Sequence, residues 1–155
     1  MKIDSELTYK DKDECLVVVT EKVLDILIKY RQMGVLDTEA AGVLLGEIRG
    51  KHLVVTDLSI PGRGDLRSRN RVDRKGKHHQ IKVDECFQES GGTVNYLGEW
   101  HTHPEDSPKP SPQDRSSWLV HLTSDAPRVT LIVGRKQIWL GKLKDKKLIE
   151  LIPCS

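Results

Sequence analysis

Residues 39–48 read EAAGVLLGEI, an apolar run with small residues and two glycines. It is short for a helix, and the glycines at 42 and 46 would weaken one further. Nor does it alternate polar and apolar as a strand with one wet face would. The run therefore predicts a central strand buried on both faces. His52–Ile60 (HLVVTDLSI) reads as its antiparallel partner, joined through Arg49–Lys51.

The remaining elements alternate around this pair. Cys15–Val19 predicts a buried strand, followed by Thr20 as N-cap. Val23, Leu24, Leu27, Ile28 and Arg31 then follow at helical spacing as far as Gly34. Gln80–Glu89 predicts a helix stopped by Gly91-Gly92, and Val94–His101 a strand. Pro112–Leu122 predicts a helix after a Pro-rich loop over Thr102–Pro110. Val129–Val133, Gln137–Leu140 and Leu148–Ile152 predict three more strands. No internal repeat or linker divides the chain, so 1–155 is expected to be one α/β (α+β) sandwich, a mixed sheet flanked by helices.

At 155 residues the chain can bury about 70% of its unfolded surface and needs no crosslinks to fold. Its three cysteines (Cys15, Cys86, Cys154) are odd in number and far apart, which gives neither a disulfide framework nor a CxxC site. None has an evident His partner, so they are expected to be small packing residues rather than nucleophiles. The N-terminus has no apolar signal core and no stretch is long enough to span a membrane, so the expected location is the cytoplasm. The net charge of +2 is unevenly spread: residues 61–79 carry seven Arg/Lys and two Asp, a net +5. The rest of the chain is then −3, which argues against nucleic acid as a partner. The segment reads as a basic insertion loop, either a solvated excursion or a clamp for an acidic substrate tail. As a clamp, its Arg67, Arg69 and Arg71 would act mainly on KM.

The chemistry is concentrated in His101-Thr102-His103-Pro104 and Ser111-Pro112-Gln113-Asp114. On an extended strand, residues i and i+2 share a face, so His101 and His103 can offer two imidazoles to one ion. Ser111 sits at a helix N-cap, Pro112 at the first helical position and Asp114 three residues past the cap. Two His and one Asp give three protein ligands, the count of a catalytic zinc that keeps a fourth position open. A hydrolytic site also needs a general base. Glu39, Glu47 and Glu99 are the candidates, and spacing alone does not choose among them. Ser111 has an ordinary reading as a helix cap and Glu39 as a solvated strand start. Trp100 and Trp118 flank the motif; Trp118 reads as core, whereas Trp100 is a candidate to line a substrate groove. His52, His78, His79 and His121 lack ligand spacing to the motif and read as surface or packing residues.

The pattern resembles the JAMM (JAB/MPN+) metalloprotease motif: an upstream Glu, His-(Ser/Thr)-His-Pro, then Ser eight and Asp eleven residues after the second His. His103, Ser111 and Asp114 match that spacing, and Glu39-Ala-Ala-Gly-Val-Leu-Leu-Gly46 matches the E-x-x-G-x-x-x-G strand start. The resemblance selects Glu39 as base. It implies one zinc ion on His101, His103 and Asp114, and Ser111 as the group that stabilises the oxyanion. It implies a JAB/MPN (cytidine-deaminase-like) fold with a curved mixed sheet. The phrase YLGEWHTHP, the Arg-rich segment before it and Trp118 after it are similar to a bacterial branch, the JAB-domain isopeptidases of CBASS anti-phage operons. There an E1/E2-like enzyme joins the C-terminus of a cyclic-dinucleotide synthase (CD-NTase) to a target, and the JAB protein cleaves the conjugate. Only 41 residues follow Asp114 and no Cys/His knuckle is present, so ubiquitin is not the expected substrate. The other readings are processing of a ubiquitin-like or sulfur-carrier tail, and a non-catalytic MPN-type scaffold.

Overall fold

The computed structural model describes residues 6–154. In chain order the strands are β1 (Leu7–Lys10), β2 (Leu16–Val19), β3 (Ala41–Arg49), β4 (His52–Leu58), β5 (Leu66–Arg67), β6 (Val72–Asp73), β7 (Asn95–Thr102), β8 (Arg128–Val133), β9 (Ile138–Lys144), β10 (Lys147–Glu150) and β11 (Ile152–Pro153). The helices are α1 (Glu21–Leu27), which continues as a 3-10 turn over Ile28–Tyr30, α2 (His78–Glu89) and α3 (Pro112–His121).

Nine strands form one mixed sheet in the order β10-β9-β8-β7-β3-β4-β2-β1-β11. The EAAGVLLGEI run lies at its centre, and the first six residues of β3 are buried. The glycines have a packing reason: a Cβ at Gly42 would run into the Ser59 carbonyl and the Trp100 indole. β4 pairs antiparallel with β3, as the pattern predicts, with a bulge between Leu45 and Gly46. The parallel pairs are β2–β4 and β7–β8.

The sheet is strongly curved. Its two end strands, β10 and β11, are consecutive in the chain with only Leu151 between them, and the Leu151 N–H bonds to the Leu140 carbonyl in β9. A buried ion pair between Asp11, just after β1, and Lys142 in β9 bridges the same curl. Val23, Leu24 and Leu27 of α1 fill the concave side with Val17, Val55, Leu97, Trp100, Leu131 and Leu140. The opposite face carries α3 through Trp118 and Leu122, packed on Ile132, Trp139 and Leu143. It also carries α2 through Cys86, against Val43 and Leu45. Both faces of β3 are thereby covered, which is why it reads as a continuous apolar run.

Several boundaries differ from expectation. α1 stops after the turn at Tyr30 rather than at Gly34, because Arg31 turns to extended backbone and the next residue, Gln32, is fully buried. Thr20 has N-cap backbone geometry, but its hydroxyl caps nothing. β1 and β11 are additional strands, β11 at the sheet edge and β1 between it and β2; their short runs sit among charged and Pro residues that hide the alternation. The basic loop is neither structureless nor free. It contains the β5–β6 ribbon, and the Asp65 carboxylate is buried at its root. That carboxylate accepts the N–H groups of Gly62 and Gly76 and lies 3.0 Å from His79 Nε2. On its other side, His79 contacts Ser59 Oγ at 2.5 Å, and Ser59 accepts the Val43 N–H. The loop is thus bolted to the central strand.

Candidate active site

The antiparallel register of β3 and β7 sets the site. Ala41 lies opposite His101, so Glu39, two residues before β3 begins, falls opposite His103, just past the end of β7. His103 leaves the sheet with its N–H still bonded to the Val133 carbonyl, and Pro104 ends the ladder. The Pro-rich loop then returns the chain so that the N-terminus of α3 faces the two imidazoles. Ser111 caps that helix with the reciprocal bonds of a capping box: its Oγ accepts the Asp114 N–H at 3.0 Å, and Asp114 accepts the Ser111 N–H at 2.9 Å. Because Ser111 Oγ acts as an acceptor in the cap, its hydroxyl proton is not used there.

Four sequence-predicted groups come together. His101 Nε2 and His103 Nε2 lie 3.0 Å apart, and Asp114 Oδ2 is 3.3 Å from the first and 3.1 Å from the second. Glu39 Oε1 lies 3.8 Å from His103 Nε2. Two ring nitrogens at 3.0 Å can share at most one proton. The three atoms instead have the mutual spacing of ligands around a tetrahedral ion, about 3.3 Å for bonds of about 2.0 Å. Nitrogen, nitrogen and carboxylate oxygen is also a donor set that suits zinc. The residues present therefore fit a divalent metal.

The electrostatics agree. Burial alone would raise the Asp114 carboxyl, but the His101 and His103 imidazoles beside it hold it well below the usual carboxylate range. Burial would lower His103, but Asp114, Glu105 and Glu39 around it raise it. Glu39 is 5% exposed. Burial pushes its carboxyl up to about 7, against the pull of the two histidines.

Of the three acids that spacing left open, Glu47 points away and pairs with Arg49 at 2.6 Å. Glu99 pairs with Arg74 at 2.9 Å. Glu39 alone of the three lies within 4 Å of an imidazole. The Trp100 side chain is buried in the core rather than presented to a groove: its ring is tilted against that of Tyr30, and its Nε1 donates to the Ser59 carbonyl. Alternation explains this, since residue 100 faces opposite to His101. Trp118 is buried as expected, with its ring 5.9 Å from that of His101.

Arg67 and Arg69 of the basic loop have partners in their own chain. Arg67 Nε donates to the Glu39 carbonyl at 2.7 Å, and Arg69 Nη1 to the Val35 carbonyl at 2.7 Å. Arg71 is exposed. His78 and His79 gather with Asp65, but each is held by a hydrogen bond: His78 to the Ile60 carbonyl, His79 to Ser59 and Asp65.

Residues 20–142 match the family model described as prokaryotic homologs of the JAB domain. The chain belongs to this JAB-domain family. Among JAB-domain relatives, a Vibrio cholerae protein named CD-NTase/cGAS isopeptidase is 56% identical over 149 residues, covering 96% of this chain and 95% of the relative. An Escherichia coli protein of the same name is 49% identical, covering 89% of this chain and 88% of the relative. The solution structure of a Desulfitobacterium hafniense protein shares the fold with a TM-score of 0.60 at 19% identity, covering 85% of this chain and 87% of that one.

Three residues of this JAB-domain site escape the sequence motif. Glu105 accepts from His103 Nδ1 at 2.8 Å, which leaves Nε2 to face the cluster. An acid two residues after a candidate ligand histidine is a signal that could have found it. Thr102 and Gln32 form a buried pair beneath Glu39. Gln32 lies 70 residues away in sequence, and no local pattern points to it.

Proposed function

We propose that this chain is a zinc-dependent isopeptidase. It hydrolyses the bond that joins the C-terminus of a CD-NTase to its target, reversing a ubiquitin-like conjugation carried out by an E1/E2-like ligase in anti-phage defence. It would work in the cytoplasm, where that conjugation occurs. The observation that carries the reading is the convergence of His101, His103 and Asp114, with buried Glu39 beside them, in a chain that matches the Vibrio cholerae isopeptidase along nearly its whole length.

His101, His103 and Asp114 would hold the zinc ion. Bound there, zinc would supply a Lewis acid for the scissile carbonyl and acidify a water at neutral pH. The chain's own residues do the rest. Glu39, buried beside His103, takes a proton from the attacking water and returns it to the departing lysine amine. Ser111 donates its unused hydroxyl proton to the developing oxyanion, worth on the order of 3 kcal/mol if it behaves as other such donors do. Glu105 fixes the orientation of the His103 ring. The products are a free C-terminal carboxylate and an unmodified lysine.

The test is a panel of isopeptide conjugates with a common reporter lysine and different C-terminal tails: CD-NTase, ubiquitin-like protein and sulfur carrier. Intact masses of the products are followed with time. Selective release of the CD-NTase tail, lost with chelator, supports the reading. Preference for another tail reassigns the substrate.

A further inference from the structure

The segment that carries Glu39 has no regular structure, since β3 begins only at Ala41. A general base on irregular backbone needs other parts of the fold to hold it. Three elements do so. The Glu39 N–H donates to the Ser68 carbonyl at 2.6 Å, and the Glu39 carbonyl accepts from Arg67 Nε at 2.7 Å, with Arg67 Nη2 reaching the Thr38 carbonyl at 3.4 Å. The next amide, that of Ala40, donates to Thr102 Oγ1 at 3.0 Å. The Thr102 hydroxyl in turn donates to Gln32 Oε1 at 2.8 Å. Gln32 Nε2 completes the circuit by donating to the Arg69 carbonyl at 2.8 Å and the Asp37 carbonyl at 3.3 Å.

We propose that the basic loop acts on the chemical step: Arg67 and the Gln32–Thr102 pair are positioning residues that fix the Glu39 carboxylate over the metal site. The inference rests on the assignment of Glu39 as base. Thr102 suits the task because of where it stands. It lies between the two histidines but faces the opposite side of the strand, so one residue couples the metal-binding strand to the backbone of the base. Thr102 is fully buried and Gln32 nearly so. A polar pair there is kept only if it is satisfied, and beyond their mutual bond the two side chains reach only the Glu39 segment and the loop. The loop can bear this load because Asp65, His79 and Ser59 anchor its root to β3.

This differs from a substrate clamp in a measurable way. A guanidinium that grips a tail acts on KM; one that grips the base's own carbonyl acts on kcat. Arg67→Ala and Thr102→Val are compared with Thr102→Ser, which keeps the hydroxyl. The expected result is a loss in kcat on the order of 100-fold for the first two, as misplacement of a catalytic group produces. KM and bound zinc stay as in wild type, and Thr102→Ser restores the rate. A rise in KM at unchanged kcat for Arg67→Ala, or loss of zinc in Thr102→Val, overturns the proposal.

Amide exchange followed by NMR on zinc-loaded protein reads the same proposal without any substrate, so it stands even if the conjugate is not cleaved. The Ala40 amide should be protected in wild type and Thr102→Ser and lose protection in Thr102→Val, while amides of β8 stay protected in all three. Equal protection of Ala40 in Thr102→Val contradicts the proposal. Absence of cleavage by wild type with these exchange results intact would overturn the substrate assignment and leave the positioning network standing.

Discussion

Glu39 is the residue on which the proposed chemistry turns. Its carboxyl is buried, near neutrality and close to His103, yet it contributes the longest of the four site distances. Those properties suit a proton carrier better than a metal ligand. Glu39→Gln should therefore keep one zinc per chain and lose turnover by roughly two to four orders of magnitude, read by metal analysis and single-turnover cleavage. Asp114→Ala should lose both. Glu105→Ala should weaken zinc binding by about 10- to 100-fold, measured by competition with a chromogenic chelator, because His103 would lose its orienting partner. The convergence of His101, His103 and Asp114 was legible in the sequence because His-x-His and Ser-x-x-Asp are local spacings, each read within one strand end or one helix turn. The choice of Glu39 over Glu47 and Glu99 was not legible from spacing, because it depends on the register of β3 against β7. Trp100 faces the core instead of the site for a related reason. Nearness to the motif in sequence does not say which face of β7 a side chain takes.

At the scale of elements, the central strand and its β4 partner follow directly from their apolar pattern, and α3 from its Ser-Pro-x-Asp start. β1, β11 and the inner order of the basic loop do not, since each depends on partners far along the chain. The Asp11–Lys142 pair shows what such contacts contribute. It ties the turn after β1 to β9, and neither residue stands out in the sequence. Burial would raise the Asp11 carboxyl, but Lys142 and the amides of Cys15 and Asp13 hold it at about 2. A carboxyl lowered in the folded state contributes stability that is present above its unfolded value, near 4, and is lost as pH falls toward 2. Wild type should therefore lose stability between pH 4 and pH 2, and Asp11→Asn should lose less over that interval, in denaturant titrations at each pH. At neutral pH, Asp11→Asn should cost on the order of 3–5 kcal/mol, because it leaves the Lys142 ammonium buried without its charge partner.

For the molecule as a whole, the curled sheet puts α1 inside, α2 and α3 outside, and the site at the rim where β3, β7 and α3 meet. No helix among the described residues is long and apolar enough to cross a membrane. The uneven charge seen in the sequence becomes a loop bound to the backbone of Glu39 and Val35, so its basic residues serve the fold as well as the surface. The measurement that tests the central claim most directly is a zinc titration of the metal-stripped protein, with cleavage of a CD-NTase conjugate followed at each addition. The account predicts no cleavage without metal, and a linear rise that saturates at one zinc per chain in wild type and stays flat in Glu39→Gln. Cleavage by the stripped protein, or full activity in Glu39→Gln, would contradict it.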